Sequence, residues 1–202
     1  MKKQNLVISA VIILVILGIL IYFMPSFLPK KSQPPPFHEH ANFALFLEGV
    51  QYNFNQSKYM TNESNEIGKR QFVHLHDMNG GVIHLHASNI TLGMFFDSIG
   101  VKFNSTCFVL DDGTSYCNSG DNTLKMFVNG VQSYEYDNLQ LHDLDKVLIS
   151  YGNDSSQNIQ NQISSIPSDA CIYSEKCPAP PGFFNNESVS CVGGQATVCS
   201  AK

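Results

Sequence analysis

Two short runs, Val73-His74-Leu75-His76 and Val82-Ile83-His84-Leu85-His86, constrain this chain more than any other feature, because apolar residues alternate with histidine in both. Successive strand residues point to opposite faces, so each run reads as a strand with one apolar and one histidine face. The strands expected are Gln71 to Asp77 and Val82 to Ala87, and Met78-Asn79-Gly80-Gly81 between them supplies the turn of a hairpin. Val73, Leu75, Ile83 and Leu85 then share a face that needs a packing partner, and His74, His76, His84 and His86 share the other. Keeping both apolar sets together leaves two registers. Either His74 faces His84 across a Met78-Asn79-Gly80 loop, or His74 faces His86 and His76 faces His84 across a longer one.

The packing partner follows at once in the chain. Thr91 to Gly100 reads as a short helix with Asn89 or Thr91 as N-cap, Leu92, Phe95, Phe96 and Ile99 on one stripe, and Gly100 as the stop. Ala41 to Leu47 and Val50 to Phe54 flank the turn pair Glu48-Gly49, which predicts an earlier hairpin. Further strands are expected at Cys107 to Leu110, Leu124 to Val128 and Val147 to Tyr151, with a turn at Asn129-Gly130. Hairpins, one helix and more strands predict an α+β domain over residues 37–152, with one helix packed on one face of a sheet.

The remaining segments differ sharply in composition. Leu6 to Phe23 is interrupted only by Ser9 and Gly18, and about 18 apolar residues in a helix span a hydrocarbon core roughly 30 Å thick. This predicts a cytoplasmic N-terminus at 1–4, an uncleaved single transmembrane helix at 5–24 and a Pro-rich spacer at 25–36, with the bulk of the chain extracytoplasmic at the cell membrane. Residues 153–168, rich in Ser, Asn and Gln, read as a flexible linker, and 169–202 as a Cys-rich tail. Beyond residue 36, eight basic against 17 acidic residues give a net charge of −9, which excludes nucleic acid as a partner. The membrane, through the N-terminal helix, and an extracytoplasmic protein remain as partners.

Six cysteines, Cys107, Cys117, Cys171, Cys177, Cys191 and Cys199, form an even set expected as three disulfides. None of them shows Cys-x-x-Cys spacing, which argues against a zinc ribbon or a dithiol oxidase. Cys107 and Cys117 flank Asp111-Asp112-Gly113 and are expected to close a hairpin. In the tail Cys171 is expected to pair with Cys177 and Cys191 with Cys199, although four cysteines allow three connectivities. Asn55, Asn62, Asn89, Asn104, Asn153 and Asn186 each begin an Asn-x-Ser/Thr sequon, the acceptor pattern of a glycoprotein.

His38 and His40 form a third His-x-His pair at the start of the first hairpin, so six of the seven histidines fall into such pairs. If the hairpins are neighbours, His38, His40, His74, His76, His84 and His86 share one surface. Imidazole is the commonest protein ligand for zinc and copper, and three or four rings supply the nitrogen set those ions favour. A histidine face with a pH-sensitive contact is the competing reading. Asp77 or Glu39 offers a general base for a metal hydrolase, but no nucleophile arrangement stands out, and an enzymatic role ranks below binding.

The runs His-Leu-His-Asp (74–77), Val-Ile-His (82–84), Thr-Leu-Gly-x-Phe-Phe-Asp (91–97), Phe-Val-Asn-Gly (127–130) and His-Asp-Leu-Asp-Lys-Val-Leu-Ile-Ser-Tyr-Gly (142–152) resemble a group of small exported archaeal and bacterial proteins. Some of those carry a protein-disulfide isomerase label. The resemblance covers most of residues 38–152 and implies export. The order of elements is also similar to the ubiquitin-like β-grasp fold of small sulfur carriers, which bears on fold alone. The expectation is therefore a β-grasp-like domain between a membrane anchor and a disulfide-stapled tail, binding copper or zinc in capture, delivery or sensing. Its alternative is a non-metal cell-surface interaction module.

Overall fold

The computed structural model describes residues 12–19, 22, 37–62, 64–183, 189–190 and 200–201, in two compact units, Met1–Pro34 and Pro35–Lys202. In the first unit residues 12–19 are helical (α1). Among the described residues no helix is long and apolar enough to cross a membrane. The transmembrane anchor expected at 5–24, and the single-pass membrane location built on it, are corrected accordingly; residues 1–11, 20–21 and 23–36 lie outside the described ones.

The second unit is a mixed α/β fold. Its main sheet runs β3 (Val73–His74), β4 (Val82–Leu85), β1 (Glu39–Leu47), β10 (Lys146–Gly152), β8 (Thr123–Val128) and β9 (Val131–Ser133), with β2 (Val50–Gln51) also paired to β1. The central pair β1 and β10 is parallel and the other pairs are antiparallel. A smaller sheet joins β5 (Lys102–Phe103), β6 (Cys107–Val109) and β7 (Ser115–Cys117), and Val189–Ser190 (β11) pairs with Ser200–Ala201 (β12). The Cys107–Cys117 disulfide bridges paired residues of β6 and β7. Cys191, Cys199 and Asn186 lie outside the described residues, and the sequon residues Asn55, Asn62, Asn89, Asn104 and Asn153 are exposed.

The expected single helix on one face is also corrected, because this sheet packs helices on both. Helix α2 (Leu92–Ser98) buries Leu92, Phe95 and Phe96 against Ala41, Phe43, Leu45, Val73, Leu75, Ile83 and Leu85. The alternate residues of the central strands, Ala44, Phe46 and Leu148, are apolar too and need cover of their own. They receive it from Ile159 of α3 (Ser156–Ser164) and from Ile166, within the segment expected to be a flexible linker. Farther along, α4 (Ala170–Tyr173) packs Ala170 and Tyr173 on Val82. The face that carries the histidines is thus partly roofed by the chain after β10.

Candidate metal centre

The register that positions the histidines is the first of the two open possibilities: His74 faces His84, and His40 faces His84 from the other side. Three strands therefore place His40, His84 and His74 in one row, with His38, two residues before His40, just ahead of β1 and His86, two residues after His84, just past β4. The six rings form a closed circuit. Centroid separations are 4.5 Å for His38–His40, 4.8 Å for His40–His84, 3.8 Å for His84–His76, 5.5 Å for His76–His74, 4.8 Å for His74–His86 and 4.8 Å for His86–His38. His40, His84, His74 and His86 are buried to 3% exposure or less, an unusual position for so many imidazoles.

His38, His40 and His84 offer one ring nitrogen each, all within 4.8 Å of one another, and can hold a metal ion. Tetrahedral Zn–N bonds of about 2.0–2.1 Å place ligand nitrogens about 3.4 Å apart, so small side-chain rotations bring this set to bonding distance. Three nitrogen ligands leave a fourth position for water or for a further ring of the circuit.

Hydrogen bonds decide which nitrogen three of the rings present. His74 Nδ1 lies 2.6 Å from the Arg70 carbonyl, which can only accept, so the ring donates from Nδ1, the arrangement that in a neutral imidazole leaves the lone pair on Nε2. His76 Nδ1 donates likewise to Asp77 Oδ2 at 2.9 Å. His40 reaches the same state through two steps: the Ser174 hydroxyl gives its proton to Asp143 Oδ1 at 2.6 Å and accepts from His40 Nδ1 at 2.8 Å. Burial pushes the Asp143 carboxyl up, but hydrogen bonds from Lys176, Ser174 and the His40 backbone N–H outweigh it and hold the group below the ordinary carboxylate range. Metal-ligating histidines characteristically donate their second ring N–H to a carboxylate, carbonyl or comparable acceptor. Neutral imidazoles with the Nε2 lone pair are the form a transition metal takes.

Tyr173 closes the site from above, its ring centroid 4.9 Å from His84, 5.6 Å from His40 and 6.3 Å from His76. The turn bearing it is tied down by Cys171–Cys177 and, at its start, by Asp169, which accepts from Asn42 at 3.0 Å and Asn79 at 2.7 Å. Sequence reasoning brings the six histidines to one face but misses Tyr173, Ser174 and Asp143. No spacing signals them, since Ser174 stands 134 residues from His40. His142 stays outside the cluster, its side chain 66% exposed and its Nδ1 3.6 Å from Asp145.

Comparison with protein-family models, curated proteins and solved structures finds no match for this chain. The chemistry of the site therefore carries the functional reading.

Proposed function

We propose that this chain binds one transition-metal ion, copper or zinc, through His38, His40 and His84, and serves in its capture, delivery or sensing. The observation that carries the reading is the convergence of three ring nitrogens within 4.8 Å, two of the three rings being fully buried. An all-imidazole set suits zinc and copper better than calcium or magnesium, which take oxygen ligands. Two disulfides among the described residues, Cys107–Cys117 and Cys171–Cys177, fit an oxidising compartment. The motif resemblance to small exported proteins points the same way.

The test is elemental analysis of the full chain, purified without a histidine tag, together with titration by Zn²⁺, Cu²⁺ and Cu⁺. One equivalent is expected in the wild type and none in a folded His40→Ala, His84→Ala double variant. Binding weaker than about 10 μM, on the order of 7 kcal/mol, overturns the reading and leaves a non-metal binding module.

A further inference from the structure

The chain after β10 could have covered the histidine face with apolar residues alone. Instead the turn 169–177 delivers a hydroxyl to one ring. Ser174 is the group that fixes the His40 tautomer, and Asp143 accepts the Ser174 proton while also accepting the His40 backbone N–H at 3.0 Å. The same carboxylate receives Lys176, from the same turn. Four residues of helix have no stability of their own. The turn is closed on itself by the Lys176 and Cys177 N–H groups, which donate to the Cys171 carbonyl at 2.8 and 3.1 Å, and covalently by the Cys171–Cys177 bond, whose two cysteines stand six apart in sequence and are partly exposed.

We propose that this disulfide-closed turn is a removable part of the metal site: Ser174, backed by Asp143, positions His40, and opening the Cys171–Cys177 bond lowers the affinity for the ion. The inference rests on the metal-binding reading above. The opening reaction is thiol–disulfide exchange with a dithiol reductant. One reductant thiolate attacks a cysteine sulfur, the second displaces it, the reductant leaves as a disulfide, and Cys171 and Cys177 each gain a proton and one electron. With the covalent closure gone, the turn keeps its hydrogen bonds (Lys176 and Cys177 N–H to the Cys171 carbonyl, Asn42 and Asn79 to Asp169, Ser174 and Lys176 to Asp143) but loses its covalent tie, and His40 loses its fixed Nδ1–H donor role whenever the turn lifts. Thiol-rich surroundings would thus favour release and oxidising surroundings retention.

The test compares Zn²⁺ and Cu²⁺ affinities of the full chain as wild type, Ser174→Ala, Ser174→Thr and Cys171→Ser, Cys177→Ser, each checked for folding by circular dichroism. Losses of about 10- to 100-fold are expected for Ser174→Ala and for the double cysteine variant at unchanged stoichiometry, with Ser174→Thr close to wild type. Ser174→Ala keeps the disulfide, so it tests the positioning role even if the cysteine variant fails to fold. Nitrogen-15 spectra of the metal-free chain supply a readout that a purely structural role would leave unmoved. His40 should show the Nδ1–H tautomer in the wild type and lose it in Ser174→Ala. Equal affinities in wild type, Ser174→Ala and the cysteine variant overturn the removable turn and leave the metal site standing. Absence of binding by the wild type overturns the metal reading and this inference with it.

Discussion

Gly80 shows at the scale of a single residue how the histidine hairpin is held. A Cβ built there would lie 2.3 Å from the carbonyl carbon of Phe54 and 2.7 Å from the backbone nitrogen of Asn55, and neither can move away as a side-chain tip could. The Asn55 side chain meanwhile accepts the Gly80 N–H at 2.6 Å. Gly80→Ala should therefore destabilise the fold by about 2–3 kcal/mol, read as a lower urea midpoint at unchanged slope. A shift below about 0.5 kcal/mol would mean that the hairpin turn and the segment after β2 are not packed this closely. Individual histidines were legible beforehand because a period of two assigns a strand face without knowledge of neighbours. The acceptors that set their tautomers were not, since Arg70, Ser174 and Asp143 reach them only through turns and tertiary docking.

Elements were read well where local chemistry marks them. Thr91 is the N-cap of α2, its side chain accepting from the Met94 N–H at 3.2 Å, while the alternative, Asn89, takes a left-handed conformation with φ of 62°. Gly100, with φ of 80°, ends the helix as its position predicts. Thr91→Ala should cost about 1 kcal/mol of stability, and Thr91→Ser much less, by thermal or urea unfolding. The sequence of helix α3 reads as a linker because seven of its nine residues are Ser, Asn or Gln. Its signal was present but faint: Ser155 caps the Asn158 N–H at 3.2 Å, and Ile159 and Ile163, four apart, face Ala44, Phe46 and Leu148. Two apolar side chains become an amphipathic face only when a second apolar sheet surface waits for them.

At the scale of the whole molecule, a charged contact joins the segment after β2 to the turn of the smaller sheet. Asp111, in the turn between β6 and β7, accepts from Lys58 at 2.8 Å and from the hydroxyl of buried Tyr59, which in turn lies 2.8 Å from the Tyr52 hydroxyl. These hydrogen bonds, that from Lys58 first, hold the Asp111 carboxyl below the usual carboxylate range. A carboxyl lowered in the folded state stabilises it fully above the unfolded value of about 3.9 and loses that contribution as pH falls through the folded value. The urea midpoint should thus drop more steeply below about pH 4 in the wild type than in Asp111→Asn. Parallel curves for the two would show that this contact does not stabilise the fold.

The alternation of apolar residues and histidine determined by itself that strands would form and that one face would carry imidazoles, because side-chain direction in a strand is a local property. Burial on both sides of β1 is faintly written in the run Ala41 to Leu47, where only Asn42 is polar, but the expectation of one helix on one face does not draw it, and the second cover is known only from the structure. Tertiary structure alone decided that β1 lies beside β4, which brings His38 and His40 into the ring circuit. It also decided that the turn after β10 returns to roof that circuit with Tyr173 and Ser174. Strand order and long-range docking are set by the total burial and hydrogen bonding of the folded chain, a sum over contacts that no local pattern contains.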